Sequence, residues 1–136
     1  MHIQFKTLFI AAAALSVGIS SGAWAHHSFA SEFDVKSPVA FTGKVVKVEL
    51  INPHSWIHLE VTKPDGSKEV WMVEGGSPNL LFRRGITKTS IPVGAELKVD
   101  GFQARDKARR AVGRTITFAD GKSLFFESTA IPDTAR

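Results

Sequence analysis

Cysteine and tyrosine are both absent from this chain of 136 residues. Without cysteine there is no disulfide, no thiolate metal ligand, no cysteine nucleophile and no lipid-modified amino-terminal cysteine. Stability must come from an apolar core alone, which a chain of this size can build. A strong excess of one charge is lacking as well: 17 Lys and Arg against 13 Asp and Glu give a formal net charge of +4, a mild excess that suits acidic surfaces without demanding nucleic acid. No internal repeat or low-complexity segment is visible. Hydrolase signatures are missing too. His27-Ser28 and His54-Ser55 are merely adjacent pairs, and no G-x-S-x-G motif supports a nucleophile elbow.

Long hydrophobic runs are limited to one, Leu8 to Val17, preceded by Lys6 and followed by Ala23-Trp24-Ala25. A charged start, a short apolar middle and small residues at the cut are the marks of a secretory signal peptide. The run falls short of the roughly 18–20 residues that span a bilayer, and Gly18, Ser20, Ser21 and Gly22 interrupt it. Cleavage after Ala25 would leave 111 residues (136 − 25), reduce the net charge from +4 to +3 by removing Lys6, and make His26 the first residue. The expectation is a periplasmic protein with no transmembrane segment in its mature form.

Three units follow: the signal over 1–25, an amino-terminal arm over 26–39, and a β-rich domain over 40–136. The arm has no clean period, and Phe29 and Phe33 are its candidates for pinning it to the domain. From Ala40 the pattern is mostly period two. In "AFTGKVVKVELI", Val46, Val48 and Leu50 are expected on one face, with Lys47 and Glu49 on the other. In "SWIHLEV", Ile57, Leu59 and Val61 oppose Trp56, His58 and Glu60. Pro64-Asp65-Gly66 makes a turn, and "KEVWMVE" returns as a third strand. Ser77 as N-cap, Pro78 at the first position, Arg83 and Arg84 in the last turn and Gly85 beyond the end mark a short helix. "PVGAELKVDGFQA" resumes strand character, and "GRTITFADGKSLFF" is a hairpin through Asp120-Gly121. Three strands, one short helix and at least two more strands match a small Greek-key barrel of the OB-fold type, with a split β-sandwich as the alternative.

The motifs "HHSFASEFD", "INPHSWIHLEV", "EGGSPNLLFRRG" and "VDGFQARD…GRTITFADGK" together resemble a domain-of-unknown-function family of exported bacterial proteins. The resemblance covers essentially the whole mature chain. It implies an envelope location and a small β-rich domain, and it implies no activity.

The histidines carry the candidate chemistry. Residues two apart on a strand face lie about 7 Å apart, too far for His54 and His58 to chelate as a simple strand pair, but Asn52 and Pro53 place His54 in the loop before the strand. A free amino-terminal histidine offers its α-amine and Nδ1 to one metal ion, and a second imidazole completes an N₃ set. Nitrogen-rich tetragonal sites suit Cu(II), and the α-amine, with a pKa near 8, gives up its proton readily. The arrangement resembles the histidine brace of copper-dependent polysaccharide monooxygenases and some periplasmic copper carriers, with only His26 carried over by position. The hypothetical site is His26 with His54, and His27 or His58 as a fourth or alternate ligand. Against it stands the plainer reading of polar arm residues and surface strand histidines.

A second candidate is the basic stretch Arg105, Lys107, Arg109, Arg110 and Arg114 between the fourth and fifth strands, with Trp56 and Trp71 as stacking platforms. In OB-folds that loop grips oligomeric ligands. An anionic envelope ligand or an acidic protein would be the target, and a solvated basic hairpin is the plainer reading. The Glu74-Gly75-Gly76-Ser77-Pro78 stretch is either a tight turn into a helix or a backbone cradle for an anion. It lacks the lysine and spacing of a P-loop. Burial of Glu74 would raise its pKa. The functions that follow are a small copper or divalent-metal carrier or sensor, a metal-free binding module, and, as a third, a copper oxidoreductase. A carrier or sensor is the most economical copper role for so short a chain.

Overall fold

A computed structural model describes residues 29–128. The expected signal peptide over 1–25 and the histidines His26 and His27 lie outside the described residues. Six strands form one sheet: β1 (Phe33–Glu49), β2 (Trp56–Thr62), β3 (Lys68–Glu74), β4 (Glu96–Ala104), β5 (Arg110–Phe118) and β6 (Ser123–Phe125). A short helix, Pro78–Arg83, connects β3 to β4. Neighbouring strands run β3-β2-β1-β4-β5-β6, and a further pairing of β3 with β5 closes the sheet into a ring. That closing pair is parallel, Met72–Glu74 against Arg110–Val112, while the other pairings are antiparallel. The ladder is continuous and does not divide into two sheets, and the element order agrees with the expected three strands, helix and remaining strands.

The turns and the helix form for the reasons visible in their residues. Gly66 and Gly121 take positive φ, and the Asp65 and Asp120 side chains accept from backbone N–H groups two residues on. Ser77 caps the helix by accepting from Leu80 N at 3.3 Å, and Pro78 follows at the start. The helix and its exit loop deliver Leu81, Ile86 and Ile91 to the same buried cluster as Val45, Ile57, Leu59 and Val73.

Three departures from the sequence pattern matter. First, β1 begins at Phe33, ahead of Ala40 where clean alternation starts. Its register against β4 is irregular between Phe33 and Pro38, where the Asp34 carboxylate accepts from Lys36 N and Ser37 Oγ at 3.0 and 2.9 Å. Proline and this local turn break the period without ending the strand. Second, a bulge between Val45 and Lys47 puts Val45 in the core and leaves Val46 exposed. Val46 is the extra residue, so it does not share a face with Val48 and Leu50, which pack against the core. Third, residues 29–32 form a helical turn of their own, so the described residues hold two short helical segments rather than one.

That turn has a packing reason. Phe29 and Phe33 stand one helical turn apart with ring centroids 5.9 Å from each other. Both are buried, and they form a second cluster with Phe102, Ala104 and Val112. Val73 is buried in the main core, so Glu74, the next residue on β3, points to the opposite face of the sheet. Its register partner is Val112. The second cluster therefore covers the outer face of the ring where β3, β5 and β4 meet.

Gly75 and Gly76 lead from β3 toward the helix. A Cβ at Gly75 would overlap the ring of Phe126, a core side chain with no exposed surface. We expect Gly75→Ala to lower stability by about 1–3 kcal/mol through overpacking, read as an earlier urea midpoint at unchanged slope. An unaltered midpoint would show that Phe126 can move aside.

Candidate functional site

His54 lies in the loop before β2, as its Asn-Pro context suggests. Its Nδ1 is in hydrogen-bond contact with Glu74 Oε1. Glu74 is only 4% exposed, whereas about a third of the His54 side chain is open to solvent. The two share a narrow cavity with Phe29, Glu32, Phe33, Val112 and Ser128, with room for about one water molecule. The buried end of the pair is thus the carboxyl and the accessible end is the imidazole.

Burial pushes the Glu74 carboxyl up to about 7, the charge of Glu32 acts in the same direction, and Arg110 opposes both.

His58 is in a different environment. It faces out from β2, opposite Met72 on β3 and Lys47 on β1. Its Nε2 meets Glu49 Oε2 at 2.7 Å, and Lys47 Nζ reaches the same carboxylate at 2.7 Å. Lys47 first and His58 second hold the Glu49 carboxyl below its ordinary range. His54 and His58 therefore use separate carboxylates, and His58 is not part of the His54 cavity. Among the described residues no group of three or more His, Asp or Glu side chains is arranged to hold a metal ion.

The basic residues are engaged within the fold. Arg105 Nε donates to Ala30 O at 2.6 Å, and Arg105 N donates to Glu32 O at 2.9 Å. Lys107 Nζ donates to Ser37 Oγ at 2.7 Å and stands 3.9 Å from Asp34. Arg109 pairs with Glu69 at 3.5 Å and Arg110 with Asp106 at 3.8 Å. Arg110 also lies over the Phe33 ring and Arg114 over the Phe102 ring. Most of these contacts go to the segment from Ala30 to Ser37, so the β4–β5 loop holds that segment in place. Trp71 packs on Phe41 with ring centroids 4.8 Å apart and donates to Glu69. Trp56 is half-buried opposite Glu74 and Glu49.

The glycine stretch is a structural turn. Gly75 N donates to Ser55 O at 2.8 Å and Gly76 N to Phe126 O at 2.9 Å, so neither N–H is open to an anion. The participation of Glu32 and the anchoring by Arg105 had no sequence signal. Glu32 enters the cavity only because the 29–32 turn folds back, and Arg105 meets it across 75 positions of the chain.

The Glu74 carboxyl gives a pH dependence with a definite sign. Its value is raised in the folded state, so between about pH 4.5 and 7 the native protein holds a proton that the unfolded chain has released. Stability from this group is full below that window, falls as pH rises through it, and levels off above 7 with a deficit of up to about 3 kcal/mol. Glu74→Gln stays neutral throughout. In the metal-free protein, its stability relative to the wild type should climb from pH 5 to 7 and then flatten, measured by urea unfolding at each pH. A difference independent of pH would refute the buried-carboxyl account.

No helix among the described residues is long and apolar enough to cross a membrane. No curated protein matches the chain. A model described as a family of unknown function, DUF6152, matches residues 14–113. That span takes in the motifs from "HHSFASEFD" through "VDGFQARD", including His54, Glu74 and the basic residues from Arg105 to Arg110, and the chain belongs to this DUF6152 family.

Proposed function

We propose that this is a small exported binding protein that takes up a divalent metal, copper foremost, through His54 and the amino terminus that processing creates at His26. One observation carries the reading. Phe29 lines the same cavity as His54, and it stands only three positions after His26, a reach of at most about 11 Å for an extended chain. With Phe29 and Phe33 anchored, a terminus created at His26 would be within reach of the His54 imidazole, whose Nδ1 already contacts Glu74.

The donor chemistry supports copper. An α-amine with two or three imidazoles is a nitrogen set, and such sets in tetragonal geometry suit Cu(II). His26 would supply amine and Nδ1, His54 the second imidazole, and His27 a further nitrogen. His58 is tied to Glu49 and enters only as an alternate. The described residues supply too few ligands for a metal by themselves, so the site depends on removal of the leader. Export to the periplasm belongs to the same proposal, since cleavage after Ala25 is what frees the amine. The competing reading, an anionic ligand on the β4–β5 loop, would first have to displace the carboxylates and carbonyls that Arg105, Lys107 and Arg109 already engage.

The test is Cu(II) titration followed by electron paramagnetic resonance on protein with a verified His26 amino terminus. The expected result is a single nitrogen-rich tetragonal signal at one equivalent. It should change in protein that keeps one extra residue before His26, and it should weaken in His54→Ala. Binding that is indifferent to both changes overturns the proposal.

A further inference from the structure

The outer face of the ring carries two glutamate–histidine pairs, and they engage opposite ring nitrogens. Glu49 takes Nε2 of His58, the nitrogen at the end of the side chain. Glu74 takes Nδ1 of His54, close to the backbone. An imidazole held at Nδ1 by a carboxylate keeps a fixed ring orientation and has its lone pair at Nε2. This is the arrangement by which carboxylates orient and strengthen metal-ligating histidines. The holder is itself rigid. Glu74 ends β3 in register with Trp56 and Val112, beneath the buried rings of Phe29 and Phe33, and its backbone leads into the Gly75–Ser55 hydrogen bond. A solvent-exposed histidine would be served by water. A buried carboxyl with a desolvation cost is instead spent on this one.

We infer that Glu74 is a positioning residue: its carboxylate fixes His54 as the Nδ1–H tautomer and leaves Nε2 as the ligand atom. The inference rests on the metal reading above and goes beyond it, because it names which nitrogen binds and what holds it. His58 is its internal contrast. With Nε2 occupied by Glu49, that ring is set in the opposite tautomer, and its remaining nitrogen is the one nearer the strand.

Imidazole ¹⁵N NMR of the metal-free protein at about pH 8.5 reads the tautomers directly. His54 should be in the Nδ1–H form and His58 in the Nε2–H form. Glu74→Leu keeps an apolar side chain of similar size in the buried position and removes the acceptor. His54 should then shift toward a tautomer mixture while His58 stays unchanged, and Cu(II) affinity should fall about 10- to 100-fold. Glu74→Gln retains an acceptor oxygen and should stay nearer the wild type in both readouts. If the wild type binds Cu(II) and Glu74→Leu binds it equally well with an unaltered His54 tautomer, Glu74 does not position the ligand and the inference fails. If the wild type binds no Cu(II), the metal reading itself fails, and the intact tautomer pattern would mark Glu74–His54 as a purely structural pair.

Discussion

The parallel join of β3 to β5 is short, three register pairs from Met72–Arg110 to Glu74–Val112, and much of the molecule depends on it. It converts a curled sheet into a closed ring, which removes the free edges that β3 and β5 would otherwise present there. It also fixes the facing of the residues at the join. Val73 enters the core, so Glu74 must face outward, beside Val112 and Phe102. A carboxyl in that position would ordinarily lie in water. The 29–33 segment lies over the same face, and its two phenylalanines take the carboxyl out of solvent.

Burying that carboxyl costs free energy, and the surroundings show how the cost is limited. Burial favours the uncharged form, and His54 Nδ1 gives the group a hydrogen-bonding partner in either protonation state. Nearby, the turn that carries the chain away from Glu74 is drawn tight by Ser55 O and Phe126 O, with glycine at the two positions where a side chain would collide with Phe126 or Leu80. The motifs "NPHSW" and "EGGSPN" are thus two halves of one local structure, joined by the Ser55–Gly75 and Ser55–Gly76 backbone hydrogen bonds. Within it, the accessible histidine is the part that faces solvent.

Local rules made most of the ring legible. Alternation in "SWIHLEV" places Ile57 and Leu59 inside because one side of β2 is fully covered. The Ser77-Pro78 start and the Asp-Gly turns depend on nearest neighbours, and they stand where those neighbours put them. What stayed hidden was non-local. "KVVKV" reads as plain alternation, and only the pairing of β1 with β2 shows that Val46 is a bulge. The start of β1 was masked by Pro38 and the Asp34 turn. The candidate histidine in the loop was visible from Asn52-Pro53, but its partner was not. Whether Glu74 is buried depends on a helical turn more than 40 positions earlier in the chain, and no period in "KEVWMVE" carries that information.

The basic loop teaches the same lesson about charge. Five cations in ten residues read as a surface for an anionic ligand, and the internal acceptors that use them come from elsewhere: Ala30, Asp34 and Ser37 from the segment leading into and opening β1, Glu69 from β3. Single contacts of this kind at a surface contribute little each. Their effect is geometric, because together with Phe29 and Phe33 they fix where the described chain begins, on the His54 side of the ring. The β4–β5 loop thus grips the protein's own 30–37 segment. The consequence of the charge is structural: it keeps the 30–37 segment, and with it Phe29 and Phe33, against the cavity that His54 and Glu74 line.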